Sequence, residues 1–491
     1  MTALVHRSVI LALVACGGLE AAGAQVTSQV AVTRAAPDSS SPATKPKVAN
    51  NALPSVEIAG FLVLLNVFDR VVLRSTMENG TPVYASTFAS TWDHLRTQRW
   101  EHDPDSFRVN QFGHPYQGAM MFGLSRSTGH GFWTSLLHAD VGSFVWEMAG
   151  ETVPPSIDDL ITTSQAGSLF GEALYRMADL VLADGGRYKP NRLHEYAATL
   201  IAPWAGFNRR LFGDRFASAR PAKLPAAFWQ FKVGATLDAL ARDYASPRTL
   251  LQHDATAEFS MSYGLPGQPG YAYTKPLDYF DMQLSVLSSA SNPIESLLVR
   301  GLLIGAKTAD TERSRGIWGL YGSYDYISPY LFRVSSTALS IGTTRQYSLT
   351  PSVALQGSAL AGIGYGAAGS RTVIASTPTS VEIRDYHRGI TPQGLLALNV
   401  IGGDRAKVSF AAREYYVSGR GSDDAQGSET IFRGIAGLTL RLFGGHAVGA
   451  QYASSRRTAR YGKQPNVKLA EGTLTLSYSI LGGNGLGAVK W

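Results

Sequence analysis

His114 is the residue of this sequence best suited to acid–base chemistry. It stands in a Gly-His-Pro-Tyr turn before a helical segment, and Glu147 and Glu151 follow on one face of a later helix. Imidazole titrates near neutral pH, and a carboxylate that orients it makes it a general base. Ser156 or Ser164 would be the nucleophile if folding brought it to this histidine. One hypothesis is therefore a hydrolase site with His114, Glu147 and Glu151 as catalytic residues.

A structural role explains the same residues without catalysis. Buried polar side chains must be paired, and a histidine and glutamates at helix ends commonly pair with each other and with backbone groups. The pair Asp158-Asp159 follows Ser156 at the start of a helix, where an N-cap and the helix dipole favour acidic residues. The polar residues of this segment that we interpret as structural or lumen-facing are Tyr116, Ser156, Asp158, Asp159, Glu172, Asn208 and Arg209.

The sequence predicts no metal ion and no cofactor. It has no His-Glu-x-x-His pair and no calcium-loop pattern, and its single cysteine is Cys16. His130 and His138 do not have a usual chelating spacing, and the glycines of residues 362–369 lack the Lys-Ser/Thr of a phosphate loop. The net charge of +7 is scattered along the chain, so no basic stripe or motif indicates nucleic-acid binding.

The positions of these residues depend on a helical segment that covers residues 54–215. Its motifs are residues 110–118, Glu147 with Glu151, residues 155–159, Gly171-Glu172 and residues 206–209. In this order they resemble a family of bacterial envelope proteins catalogued as domain of unknown function number 3943, over about residues 57–215. The resemblance implies a cell-envelope protein with a barrel-like region following. It implies no activity and carries over no catalytic residue.

From residue 226 the apolar period changes from about 3.6 to 2. Trp229, Phe231 and Val233 alternate with Gln230, Lys232 and Gly234, and similar segments recur to the end of the chain. They are about 10–14 residues long, which suits tilted transmembrane strands. The presumed inner face is polar, with Lys232, Asp238, Asp281 and Arg441.

These segments predict an antiparallel transmembrane β-barrel of about 12 strands over residues 226–491, with ten or fourteen strands left open. The terminal aromatic residue, Trp491, resembles the assembly signal of outer-membrane barrels. A soluble sandwich with its apolar face inward is the alternative. The expected fold class is thus α+β, an N-terminal amphipathic helical segment followed by this barrel.

Composition and the N-terminus favour an exported protein. Only 16% of residues are charged and 51 are glycine, and no stretch approaches the roughly 20 apolar residues of a transmembrane helix. Residues 1–24 have the charged, apolar and small-residue regions of a signal peptide, although Cys16 also fits a lipoprotein cleavage site. Residues 25–53 are poor in large apolar side chains, which predicts a disordered leader.

We therefore expect a protein of the outer membrane of a Gram-negative bacterium, with its helical segment in the periplasm or inside the barrel. Two functions remain open. The first is a structural, solute- or lipid-binding or transport role, and the second is a membrane-embedded hydrolase of phospholipid or lipopolysaccharide that uses His114. The expected partners are outer-membrane lipids and the barrel-assembly machinery, without nucleic acid, and the oligomeric state is open.

Overall fold

The computed structural model describes residues 49–74, 80, 82–96, 100–101, 105–183, 191–213, 224–242, 249–288, 293–308, 311–370, 386–419, 427–461 and 466–489. The predicted signal peptide with Cys16, most of the predicted leader and Trp491 lie outside these residues, so those predictions stay predictions. Within the described residues the chain forms a group of helices and then a β-barrel.

The helical region consists of short helices joined by turns and loops. The α-helices are α1 (Leu53–Phe68), α2 (Phe88–Arg96), α3 (His114–Ser127), α4 (Phe132–Ala149), α5 (Ile157–Ile161), α6 (Gly167–Leu182), α7 (Arg192–Ile201) and α8 (Pro203–Phe212). Wider π-helical turns occur at Asp69–Leu73, Val109–Gly113 and Thr162–Ala166. None of the described helices is long and apolar enough to cross a membrane.

Local sequence signals set the ends of these helices and their packing. Ser156 caps α5, because its Oγ accepts a hydrogen bond from the backbone N–H of Asp159 at 3.2 Å. Glycine lets α3 and α6 approach closely, since a Cβ added to Gly118 would lie 1.6 Å from the carbonyl oxygen of Thr163. At Gly167 a Cβ would lie 2.7 Å from the α3 backbone. The close α3–α6 pair holds the first turn of α3, and with it His114, against the start of α6.

Twelve antiparallel strands follow the helices. They are β1 (Ala227–Arg242), β2 (Thr249–Tyr263), β3 (Phe280–Leu287), β4 (Ile294–Lys307), β5 (Ser314–Ile327), β6 (Phe332–Thr350), β7 (Val353–Ser370), β8 (Tyr386–Gly402), β9 (Ala406–Gly419), β10 (Gly427–Phe443), β11 (His446–Tyr461) and β12 (Val467–Gly483). Each strand pairs with its neighbours in sequence and β1 pairs with β12, which closes the barrel. The predicted fold class, including the strand number, is confirmed.

The two ends of the barrel differ. Residues 351–352, 403–405 and 444–445 make short turns at one end, which we name the turn end. The residues after β12 also lie there, because Phe228, at the start of β1, pairs with Gly483. The other end, the loop end, carries the connection of residues 328–331 between β5 and β6. In outer-membrane barrels the short turns are periplasmic.

Alternate residues of each strand face the lumen and the outside. On β1, Lys232 faces the lumen and pairs with Glu258 of β2, with its Nζ 2.7 Å from Oε1. The next residue, Val233, points outward with 43% of its surface exposed. The predicted alternation of polar lumen and apolar outer wall is therefore present, and Asp238, Asp281 and Arg441 share the lumen face with Lys232.

The helical region packs on the outside of the barrel. Phe259 and Met261 of β2 alternate with the lumen-facing Glu258 and Ser260, yet they are buried in the same apolar core as the helices. A Cβ added to Gly322 of β5 would lie 2.8 Å from a methyl group of Leu169 in α6. The surface that the helical segment contacts is therefore the outward face of these strands.

Candidate functional site

His114 lies at the start of α3, is buried, and has a carboxylate beside it. Its Nε2 is 3.7 Å from Oδ1 of Asp159 in α5. Burial lowers the pKa of His114, while the negative charges of Asp105 and Asp69 oppose this effect. Burial also raises the pKa of the Asp69 carboxyl to about 6. The site is thus a buried cluster rather than an exposed acid–base pair.

The carboxylates that the sequence suggested for His114 have other roles in the structure. Glu147 Oε2 accepts a hydrogen bond from the backbone N–H of Ser156 at 2.7 Å. Glu151 Oε1 accepts one from the indole of Trp146 at 2.7 Å. The hydroxyl of Ser156 caps α5, and that of Ser164 donates to the Leu160 carbonyl at 2.6 Å. Both nucleophile candidates are therefore engaged in local helix bonds, and nothing in this arrangement favours the hydrolase hypothesis.

Asp158 and Glu172 connect the helices to each other and to the barrel. Asp158 accepts hydrogen bonds from Arg388 of β8 and from the hydroxyl of Tyr365 of β7. Glu172 accepts from Arg126 Nε at 2.6 Å and from Arg176 Nε at 2.8 Å. Buried charges are stable only when paired in this way. These contacts join the helices to one another and the helical region to the barrel wall.

Arg176 extends the Glu172 cluster to the barrel. Its guanidinium donates to Asp278 Oδ1 at 3.0 Å and to the carbonyl of Pro276 at 2.7 Å, both in the connection between β2 and β3. Burial alone would raise the pKa of Glu172, but Arg126 and Arg176 hold it below its usual range. Glu172 therefore stays charged at neutral pH and pairs with both arginines.

The remaining predicted polar residues contribute to packing and to hydrogen bonding within the helical region. Tyr116 packs against Phe170, with ring centroids 6.3 Å apart. Asn208 Nδ2 donates to Glu57 at 3.0 Å and to Ser127 at 2.7 Å. Arg209 Nη2 lies 4.0 Å from Glu195 Oε1 at a partly exposed position. All of them belong to the helical region, which contacts the outward face of the strands.

Charged side chains bridge the lumen. Glu295 of β4 and Arg433 of β10 are six strands apart in a barrel of twelve, yet Nη2 of Arg433 lies 2.8 Å from Oε1 of Glu295. Arg457 donates two hydrogen bonds of 2.7 Å to Glu429, and His387 Nδ1 lies 2.8 Å from the same carboxylate. A direct ion pair thus joins opposite walls of the lumen at that level.

Segments of the chain also occupy both mouths of the barrel. At the loop end, the backbone N–H groups of Tyr330 and Leu331 donate to Glu471 of β12 at 3.1 and 3.2 Å. At the turn end, Gln346 makes two hydrogen bonds with the backbone of Val489, after the last strand. Between them, a cavity lined by Arg300, Asp325 and Tyr415 has about 20 Å³. Such a volume holds about one water molecule.

The outer wall has more room than this part of the lumen. An open groove of about 700 Å³ crosses the outward face of β6 to β11. Its floor includes small residues and its sides are apolar and aromatic. The floor residues are Gly357, Ala359, Ala412, Gly434 and Ala436, and the side residues include Tyr347, Leu396, Phe410 and Tyr452.

Arg345 is the basic residue in the lining of this groove. It lies near the turn end of β6, where its Nη1 donates to the hydroxyl of Tyr347 at 3.2 Å. A second depression of about 450 Å³ shares Ala359, Leu396 and Ala412 and continues the groove towards the loop end. The arrangement is an elongated, mostly apolar surface with Arg345 at one end and with Arg413 and Glu414 in the lining of the second depression. Its Arg345 end can bind an acyl chain and an anionic group together.

Several residues that carry this architecture were not among the sequence candidates. Arg176 could have been found, because it lies four residues after Glu172 on the same helix face. Arg388 and Arg433 give no local signal, since their partners Asp158 and Glu295 come from distant parts of the chain. Among the described residues, no three His, Cys, Asp or Glu side chains are grouped to hold a metal ion.

Solved structures with similar barrels were found, all at low similarity. The COG4313 outer membrane channel from Pseudomonas putida F1 is 11% identical, with 54% of this chain and 100% of that chain covered and a TM-score of 0.25. The translocator domain of the autotransporter NalP from Neisseria meningitidis is 12% identical, with 52% and 88% covered and a TM-score of 0.23. Pseudomonas aeruginosa OpdQ is 9% identical, with 52% and 97% covered and a TM-score of 0.20.

These scores are too low for an argument about function. No curated protein matches this chain. The resemblance of the helical region to a known family is confirmed within the limits of that region: residues 99–204 match the family described as Domain of unknown function (DUF3943).

Proposed function

We propose that this chain is an outer-membrane β-barrel that binds a phospholipid on its outer wall and does not conduct solutes through an open lumen. The observation that carries the proposal is the groove of about 700 Å³ across β6 to β11. This volume is within the range of roughly 300–1,000 Å³ that small-molecule sites occupy. The bridged lumen supports the same view, because Glu295 and Arg433 join opposite walls.

The outer wall has the surface of a membrane protein. Leu396, Ile341 and Leu476 point outward with 65%, 69% and 61% of their surfaces exposed. A water-soluble protein would bury such a continuous apolar band, whereas the outward face of a transmembrane barrel presents it to lipid. This pattern supports the outer membrane as the location of the barrel.

The chemistry of the groove indicates which lipid it would take. Small residues along its floor leave room for a hydrocarbon chain, and Arg345 offers a guanidinium for a phosphate. Arg345 is near the turn end, which is periplasmic in outer-membrane barrels. The ligand we propose is therefore a phospholipid of the periplasmic leaflet, with its phosphate at Arg345 and an acyl chain between Phe410 and Tyr452.

Filling the groove tests this function. Ala436→Phe places a ring on the groove floor, and we expect the variant to retain several-fold less phospholipid than the parent protein. Native mass spectrometry after extraction in mild detergent measures the retained lipid. Ala235→Phe is the matched control, because Ala235 is exposed on the outer face of β1, away from the groove.

Arg345→Ala tests the contact with the phosphate separately from the groove that holds the acyl chain. We expect this variant to keep some lipid in the groove but to retain less than the parent protein, because the contact between the guanidinium and the phosphate is lost. Equal lipid retention by Ala436→Phe, Ala235→Phe and the parent protein would contradict the proposed site.

A further inference from the structure

The helical region has an unusual distribution of polar and apolar residues. Its interior contains many polar side chains, and at least eight of them lie in the α3–α6 core or the turns beside it: Gln111, His114, Gln117, Asp158, Asp159, Thr163, Ser168 and Glu172. Its outward surface contains many large apolar side chains. A domain surrounded by water would show the opposite distribution. The exposed apolar surface of the helical region therefore needs a surrounding other than water.

Helix α4 shows this outward apolar surface most clearly. Trp133, Leu137, Val141 and Phe144 follow one another at helical spacing, and they are 50%, 60%, 54% and 42% exposed. No charged residue of α4 is fully exposed, since Asp140 and His138 are partly covered and Glu147 is buried. From position 133 to position 144 the stripe is about 17 Å long at 1.5 Å per residue. The hydrocarbon part of one membrane leaflet is about 15 Å thick.

Helix α1 repeats the pattern. Val56, Val63, Leu64 and Val67 are exposed on one side, and no exposed charge occurs from Leu53 to Phe68. The first exposed charge after this helix is Arg70, in the π-helical turn that follows. By contrast, the exposed faces of α7 and α8 mix charged with apolar side chains: Arg192, Glu195, Tyr196, Phe207 and Arg210. The apolar faces are thus confined to one part of the helical region.

The apolar barrel wall continues directly from the helical contact. Tyr365 of β7 touches the helical region through Asp158, and two residues further along the strand Ile363 is 56% exposed. Arg388 of β8 also contacts Asp158, and Ile390 next to it on the same face is 60% exposed. The contact therefore lies within the band that faces lipid in the proposed orientation.

We propose that α1 and α4 lie in the hydrocarbon layer of the membrane beside the barrel, with lipid chains against their exposed faces. This inference rests on the proposed outer-membrane location of the barrel. Because lipid offers no hydrogen bonds, polar groups of an embedded domain must be satisfied internally. The Glu172 ion pairs with Arg126 and Arg176, and the docking of Asp158 on Arg388, meet this requirement for these buried charges. The helical region is then a membrane-embedded flank of the barrel instead of a periplasmic domain.

Spin labels at single cysteines test this placement in the full-length protein reconstituted in phospholipid vesicles. Cys16→Ser removes the only cysteine of the chain. Labels are then placed by Val141→Cys in α4, by Leu396→Cys on the barrel wall and by Arg192→Cys in α7. Collision rates with molecular oxygen, which concentrates in lipid, are compared with those of a water-soluble nickel chelate.

We expect positions 141 and 396 to favour oxygen several-fold over the chelate, and position 192 to favour the chelate. If position 396 favours oxygen but position 141 behaves like position 192, the helical region lies outside the membrane. In that case the placement of the helices is wrong, while the proposed location of the barrel stands. If position 141 is shielded from both reagents, a protein partner or a second copy covers α4, which also overturns the inference. If position 396 itself favours the chelate, the proposed membrane location of the barrel is wrong.

Discussion

Replacing Glu172 with alanine is expected to lower the free energy of unfolding by about 3–5 kcal/mol and to loosen the helical region from the barrel wall. Glu172 is fully buried and lies between Arg126 and Arg176. Without it, two buried guanidinium groups lose their shared carboxylate. Arg176 keeps Asp278, whereas Arg126 keeps the carbonyl of His130 and the ring of Tyr175. The effect should therefore begin in the helices and extend to the docking contact through Arg176.

Unfolding of the detergent-solubilised protein, followed by circular dichroism at 222 nm, measures this change. Glu195→Ala is the matched control, because Glu195 also faces an arginine, Arg209, but is exposed at a distance of 4.0 Å. We expect it to cost about 0–1 kcal/mol, as exposed ion pairs generally do. Limited proteolysis should cleave the helical region of Glu172→Ala earlier than that of the control. An equal cost for both variants would show that the buried cluster does not hold the domain.

Replacing Arg457 with alanine is expected to destabilise the barrel by a similar amount, about 3–5 kcal/mol. Arg457 is fully buried in the lumen and makes a bidentate pair with Glu429. Its loss leaves the buried carboxylate with His387 as its other side-chain partner among the contacts described. Because the strands carry this cluster, the barrel itself should lose stability while the helical region stays docked.

The electrophoretic heat-shift test measures this effect, since a folded barrel resists detergent at room temperature and migrates differently once it is unfolded. We expect the transition temperature of Arg457→Ala to fall clearly below that of the parent protein. Arg456→Ala is the matched control, because this neighbour points outward and is exposed. If the two variants unfold at the same temperature, the lumen cluster contributes nothing to stability.

The barrel could be predicted from sequence because the outward face of each strand is apolar and the lumen face is polar. Apolar and polar residues therefore alternate with a strict period of two. Trp229 and Val233 face outward while Gln230 and Lys232 face the lumen, so the residue type at each position indicates its face. The docking of the helices on the barrel wall could not be predicted in the same way. Phe259 and Met261 are apolar whether lipid or a helix lies against them, so the pattern does not reveal that helices dock there.

The candidate site was predictable only in its composition. The sequence identified His114 and a set of nearby acidic residues, but it could not decide which carboxylate reaches the imidazole. That choice depends on how α3 packs against α5, and the structure places Asp159 there, at 3.7 Å. The groove was invisible because its floor is assembled from single small residues of several strands, such as Ala359, Ala412 and Ala436. None of these is unusual in its own segment.

The most direct test of the central claim is the electrical conductance of the purified protein in a planar lipid bilayer. Co-flotation of the protein with lipid vesicles serves as the control for insertion. We predict no steady conductance steps for the inserted parent protein. Steady, ohmic steps from the parent protein would show an open pore, and they would contradict a role confined to the outer wall.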